Sequence, residues 1–86
     1  MENRIALVGF IVENPDSVEA LNSLLHEYKD YVVGRMGIPY RERNVSIISV
    51  VLDAPTDVIS SLSGKAGMIA DVSAKALYSR LPSEGK

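Results

Sequence analysis

The stretch Gly34–Pro55, GRMGIPYRERNVSIISVVLDAP, decides how this chain folds. Its second half, Val45–Asp53, is a short run rich in β-branched residues, which favour a pleated backbone. Apolar residues fill both alternation sets of that run: Val45, Ile47 and Val51 on one, Ile48, Val50 and Leu52 on the other. A strand apolar on both faces needs cover above and below, which puts it at the centre of a sheet. The first half reads differently. Gly34 is placed to end the helical region before it, and Ile38–Arg43 reads as a short strand. Pro39 and the alternating Arg41 and Arg43 suit a sheet edge, where a missing N–H and a row of charges are tolerated.

Upstream, Ile5–Val12 (IALVGFIV) is a second apolar run of strand length. Ile5, Leu7 and Ile11 point one way, and Ala6, Val8, Phe10 and Val12 the other. Glu13-Asn14-Pro15-Asp16 ends it. Asp16 and Glu19 have the spacing of a helix N-cap and its N3 carboxylate. The helix is expected to run to about Tyr31, with Val18, Leu21, Leu25, Tyr28 and Val32 on one stripe and Leu24 beside them. Downstream of the central strand, Pro55 suits the first turn of a second helix. Val58, Ile59 and Leu62 give that helix its apolar face, and Gly64 or Gly67 its end. In the last strand, Val72–Leu81, Val72, Ala74, Ala76 and Tyr78 alternate with Ser73, Lys75 and Ser79, so one face is wet. Residues 1–81 read as a single domain and 82–86 as a polar tail.

Strand–helix–strand followed by strand–helix–strand is the split βαβ arrangement. The expected fold is therefore α+β and ferredoxin-like: βαββαβ, with two helices on one face of a four-stranded antiparallel sheet and the first and third strands in the middle. Two helices cover one face of such a sheet. The other face keeps its apolar set open to water, at ~1.5–3 kcal/mol for each large side chain left exposed. A five-residue polar tail cannot cover it. A homodimer or homotetramer that buries the open face is the expected remedy, although the sequence does not say which face that is.

Composition sets outer limits. At 86 residues the chain folds alone only marginally, which again favours self-association. A net charge of −2 gives no basic field to drive binding to DNA or to a membrane surface. The absence of cysteine excludes disulfides and thiolate chemistry and fits a cytoplasmic setting. The N-terminal residues lack the layout of a signal peptide. No apolar run approaches the ~20 residues of a membrane span.

Several short motifs have plain readings beside sharper ones. Gly34-Arg35-Met36-Gly37 has the GxxG form that clamps a nucleic-acid backbone in KH domains, but there it joins two helices. Here the two glycines read more simply as the helix stop and the turn. A small carboxylate or phosphate is a better fit, since forked arginine donors and backbone N–H groups near glycine suit such anions. Ser63-Gly64-Lys65-Ala66 lacks the upstream glycine and the Ser/Thr of a phosphate-binding loop. His26, the single histidine, sits on the helix's polar flank beside Asn22 and Lys29 and is a poor metal ligand without a partner. No Ser/His/Asp constellation and no pair of inward carboxylates is spaced for catalysis. Asp53 and Asp57 suit a strand end and a helix N-terminus.

The string GRMGIPYRERNVSIISVVLDAP, followed by DVISSLSGKAGM and a VSAK strand, resembles the family of iron-only hydrogenase system regulators. The resemblance runs from VGFIVEN to ALYSR. It implies a ferredoxin-like, ACT-like fold, akin to the C-terminal domain of nickel-responsive repressors, and an oligomer. It also implies a regulatory role and effectors held at subunit interfaces. The apolar faces offer almost no titratable groups for catalysis, so a non-catalytic module with no cofactor is expected. The family pattern has glycine before the Val-Ser pair, where this chain has Ala70-Asp71; the departure bears on the last turn. No DNA-reading element is legible, since both helices are needed on the sheet. Regulation would then pass through a small anionic effector or a protein partner.

The expected ligand-binding residues are Gly34, Arg35, Gly37, Tyr40, Arg41 and Arg43. Glycines let backbone amides approach a ligand, arginines supply forked donors, and Tyr40 adds a ring and a hydroxyl. The plainer reading of the same segment is an edge strand armoured with charge. Two other functions remain open on the sequence: a structural interaction module without a ligand, and a small enzyme with its site at a subunit interface. Titratable groups converging in a pocket would mark the enzyme.

Overall fold

A computed structural model describes residues 2–80. The elements run β1 (Asn3–Val12), α1 (Pro15–Glu27), a 3₁₀ turn at Lys29–Tyr31, β2 (Val32–Tyr40), a second 3₁₀ turn at Arg41–Arg43, β3 (Val45–Pro55), α2 (Thr56–Gly67) and β4 (Val72–Tyr78). The sheet order is β2-β3-β1-β4, and every neighbouring pair is antiparallel. This is the ferredoxin-like βαββαβ fold, with the two doubly apolar strands in the centre. The expected tail, 82–86, lies outside the described residues.

The register assigns each alternation set to a face. Ala6 pairs with Leu52, Val8 with Val50 and Phe10 with Ile48. These side chains, with Val12 and Ala54, are buried under the helices. From above, α1 contributes Leu21 and Leu25 and α2 contributes Ile59, Leu62 and Ala66. Tyr28 closes the seam between the helices. Its hydroxyl lies 3.0 Å from Ser61 Oγ, and Lys65 Nζ stands 5.6 Å from the centre of its ring.

The opposite face of the sheet is open. Leu7 pairs with Val51 and Leu77, and Ile11 with Ile47 and Ser73. On β2, Met36 and Ile38 join the same face opposite Ser49 and Ile47. Ile5, Leu7, Ile11, Met36, Ile38, Ile47 and Leu77 are all exposed there. Between the apolar rows lies a shallow row of Ser49, Gly9 and Lys75. Because Gly9 carries no side chain, a dimple of about 350 Å³ opens between Ile11, Ile47, Ser73 and Lys75.

Several local expectations are corrected. The cap of α1 is Asn14, not Asp16: Asn14 is extended, and its Oδ1 accepts a hydrogen bond from the Asp16 N–H at 3.0 Å. Pro15 fixes this choice, because proline is favoured in the first helical turn and places the cap just before itself. The helix ends at Glu27, and the chain turns through a 3₁₀ segment. Val32 and Gly34 therefore belong to β2, not to a helix end, and the edge strand is Val32–Tyr40 in place of Ile38–Arg43. Pairing resumes after a bulge at Val33, which stands exposed. Gly64 lies inside α2, which ends at Gly67, and β4 stops at Tyr78.

The departure at Ala70-Asp71 has a physical account. Asp71 adopts a left-handed backbone with φ 63°, a region where glycine is free of strain and Asp is among the better-tolerated residues. Its carbonyl accepts the Glu13 N–H at 2.9 Å, and its Oδ2 accepts from Asn14 Nδ2 at 3.3 Å. Ser17, buried in the first turn of α1, donates to the Ala70 carbonyl at 2.6 Å. Together these bonds tie the start of α1 to the turn before β4.

Candidate functional site

The edge strand β2 carries most of the expected ligand residues, and its alternation divides them. Arg35 sits opposite Val50 and Gly37 opposite Ile48, both on the helix side of the sheet. Gly34 sits opposite Val51 and Tyr40 opposite Val45, both on the open side. Arg41 and Arg43 follow in the 3₁₀ turn, which Asn44 closes in a left-handed conformation with its N–H donating to the Arg41 carbonyl at 3.1 Å.

The six residues therefore do not form one cluster. Tyr40 and Arg41 share a small cleft of about 160 Å³ with Val12, Pro15 and Asn44, and the Tyr40 hydroxyl donates to Glu42 Oε1 at 3.1 Å. Arg43 is exposed on the turn. A Cβ at Gly34 would meet nothing within 4 Å, and one at Gly37 would come no closer than 3.9 Å to Ile48. The chain's own packing demands glycine at neither position.

Arg35 is tied to the neighbouring helix. Its Nη2 donates to Asn22 Oδ1 at 2.9 Å, bridging β2 to α1. The helix packs over β1, β3 and α2, so the edge strand overhangs. A groove of about 260 Å³ lies under the overhang, lined by Asn22, Leu25, His26, Lys29, Val32, Arg35 and Val50. Leu25, Val32 and Val50 supply an apolar lining, and His26, Lys29 and Arg35 carry the basic groups. No acidic residue lines it. A second groove of about 250 Å³ continues past the Arg35–Asn22 bridge toward Gly37, Pro39 and Ile48.

Asn22, His26 and Lys29 were not among the expected ligand residues. Their i, i+4, i+7 spacing puts them on one flank of α1, and that signal is present in the sequence. Their meeting with Arg35 depends on β2 beginning at Val32 and lying beside α1, which the segment does not advertise.

Among the described residues no group of three or more His, Cys, Asp or Glu side chains is arranged to hold a metal. Every buried side-chain nitrogen and oxygen among them has a hydrogen-bond partner. No helix among them is long and apolar enough to cross a membrane.

No curated protein matches the chain. Among solved structures it is similar to one titled "The structure of uncharacterized protein TM1266 from Thermotoga maritima", at 35% identity and a TM-score of 0.86, covering 90% of this chain and 98% of that one. The model of one protein family, described as "TM1266-like: Iron-only hydrogenase system regulator, putative", matches residues 4–76. A match of that extent, joined to a shared fold with clear sequence identity, establishes membership: the chain belongs to the TM1266-like family of iron-only hydrogenase system regulators.

Proposed function

We propose that the chain is a regulatory, non-catalytic module that acts as a homo-oligomer in the cytoplasm, in the manner of ACT-like domains. Its subunits associate through the open sheet face. The observation that carries this reading is the exposed face itself. Ile5, Leu7, Ile11, Ile47 and Leu77 lie side by side on β1, β3 and β4, and Met36 and Ile38 extend the patch across β2. Isolated exposed apolar residues need no explanation, but a contiguous sheet of them marks an association surface.

The same reading gives the edge strand a sensing role. A small anionic effector binds along β2 and the turn that follows it, where Gly34, Arg35, Gly37, Tyr40, Arg41 and Arg43 lie. Output then passes through the assembly or a protein partner and not by direct contact with DNA. Both helices support that last point, because each buries its apolar stripe on the sheet and neither is free to enter a groove.

Two measurements on the pure protein test the reading. Light scattering should return a mass that is a multiple of the 9.3 kDa chain. A thermal-shift panel of amino acids, organic acids, nucleotides and metal ions should then show stabilisation by at least one anionic class, as expected for any ligand that binds only the native state. A single 9.3 kDa species at micromolar concentration contradicts the oligomer. An assembly that responds to nothing in the panel favours an interaction module without a ligand.

A further inference from the structure

We propose that the groove between α1 and β2 binds a small organic anion, with its carboxylate or phosphate head among His26, Lys29 and Arg35 and its apolar body against Val32 and the methylene stems of Lys29 and Arg35. The proposal rests on the sensing role above and narrows it to one cavity, most of whose lining lies outside the expected ligand segment.

Charge is the first argument. The chain carries eleven acidic residues against nine lysines and arginines, yet this groove is lined by Lys29, Arg35 and the single histidine and by no acid. Solvated surface charge on an acidic chain tends to mix signs. A one-signed concave patch with low-dielectric walls focuses its field on a ligand of opposite sign. Placement is the second argument. The Asn22 bond at 2.9 Å holds the Arg35 guanidinium over the groove while using one of its five N–H donors. A fixed guanidinium fork loses little entropy when it takes a second, charge-assisted partner such as a carboxylate.

The apolar lining selects the ligand class. Leu25 and Val50 are buried and form the floor of the groove, and half-buried Val32 is the apolar side chain of its wall that meets water. An inorganic anion would leave Val32 and the methylene stems of Lys29 and Arg35 in contact with water. A short acyl or aryl carboxylate would cover them, and at about 260 Å³ the groove suits a molecule of metabolite size.

The test is an amide NMR titration of the native protein at constant ionic strength, using hexanoate, acetate, inorganic phosphate and hexylammonium as probes. Hexanoate should shift amides within residues 22–35 and at Val50, saturating below about 10 mM and binding at least about tenfold tighter than acetate. Hexylammonium should leave them in place. Arg35→Gln and Lys29→Gln, both at exposed positions, should each weaken hexanoate about fivefold or more, with spectra otherwise as dispersed as native. Arg80→Gln, at an exposed position beyond β4 on the opposite edge of the sheet, should leave the affinity unchanged. Shifts scattered over the surface, equal affinity for acetate and hexanoate, or equal losses with Arg80→Gln and Arg35→Gln would overturn the proposal. Light scattering on the same samples separates it from its parent. Loss of hexanoate binding with the assembly intact removes the groove alone, whereas a monomer throughout removes the oligomer.

Discussion

Replacing Ile11 with aspartate should dissociate the protein without unfolding it. Ile11 is 46% exposed on the open sheet face, between Ile47 on β3 and Ser73 on β4. The exposed fractions of Ile5, Leu7, Ile11, Met36, Ile38, Ile47 and Leu77 amount to roughly three and a half whole side chains, worth on the order of 5–10 kcal/mol per chain at ~1.5–3 kcal/mol each. Two chains face to face gain about twice that, against an association cost of ~4–15 kcal/mol. The surplus is enough for a stable pair and small enough to lose. An aspartate at this position adds a desolvation cost of several kcal/mol, twice over in a symmetric pair. The dissociation constant should rise by a factor of about a thousand or more. In the separated chain the position is wet, so the folding penalty should stay within ~1 kcal/mol. Sedimentation equilibrium reads the first quantity and urea unfolding of the dissociated chain the second. Val50→Asp is the contrasting control. Val50 is fully buried beneath the helices, and an unpaired charge there should abolish folding outright. If Ile11→Asp leaves the dissociation constant within tenfold of native, the open face is not the interface and the reasoning fails.

Two further substitutions probe the frame that holds the site. Asn14→Ala should lower stability by ~1 kcal/mol in urea unfolding, since it removes the α1 cap and the side-chain bond to Asp71 together. Asp71→Gly should fall within ~1 kcal/mol of native, while Asp71→Val should lose ~2 kcal/mol or more, because a β-branched side chain is strained at φ 63°; equal effects would mean that the left-handed turn is not what position 71 requires.

The central strands were readable because their chemistry repeats at the period of the pleat. Both alternation sets of β1 and β3 are apolar, and only a central position satisfies both. The same pattern put β1 and β3 in the middle and left one face of the sheet uncovered, although which set lay under the helices waited on the register. The edge strand was hidden by a local coincidence. Val32 continues the helical stripe one turn beyond Tyr28, so the eye carries the helix on through a segment that instead turns at Lys29–Tyr31. Gly34, Gly37 and Pro39 then weaken the strand signal, and pairing with β3 holds β2 in place despite them. The groove was hidden for the same reason. Its cations were visible singly, as Arg35 on one segment and His26 and Lys29 on another, but their proximity follows from where β2 begins.

Solvent exposure of the open-face methyl groups tests the central claim most directly. A soluble paramagnetic agent added to methyl-labelled native protein at high micromolar concentration reports which side chains meet water. Met68, 87% exposed on the turn after α2, serves as the fully accessible reference, and buried Leu21 as the shielded one. The account predicts that the methyls of Leu7, Ile11 and Ile47 will be shielded almost as well as Leu21, although each is exposed in the single chain. Broadening of those three methyls approaching that of Met68 would contradict it.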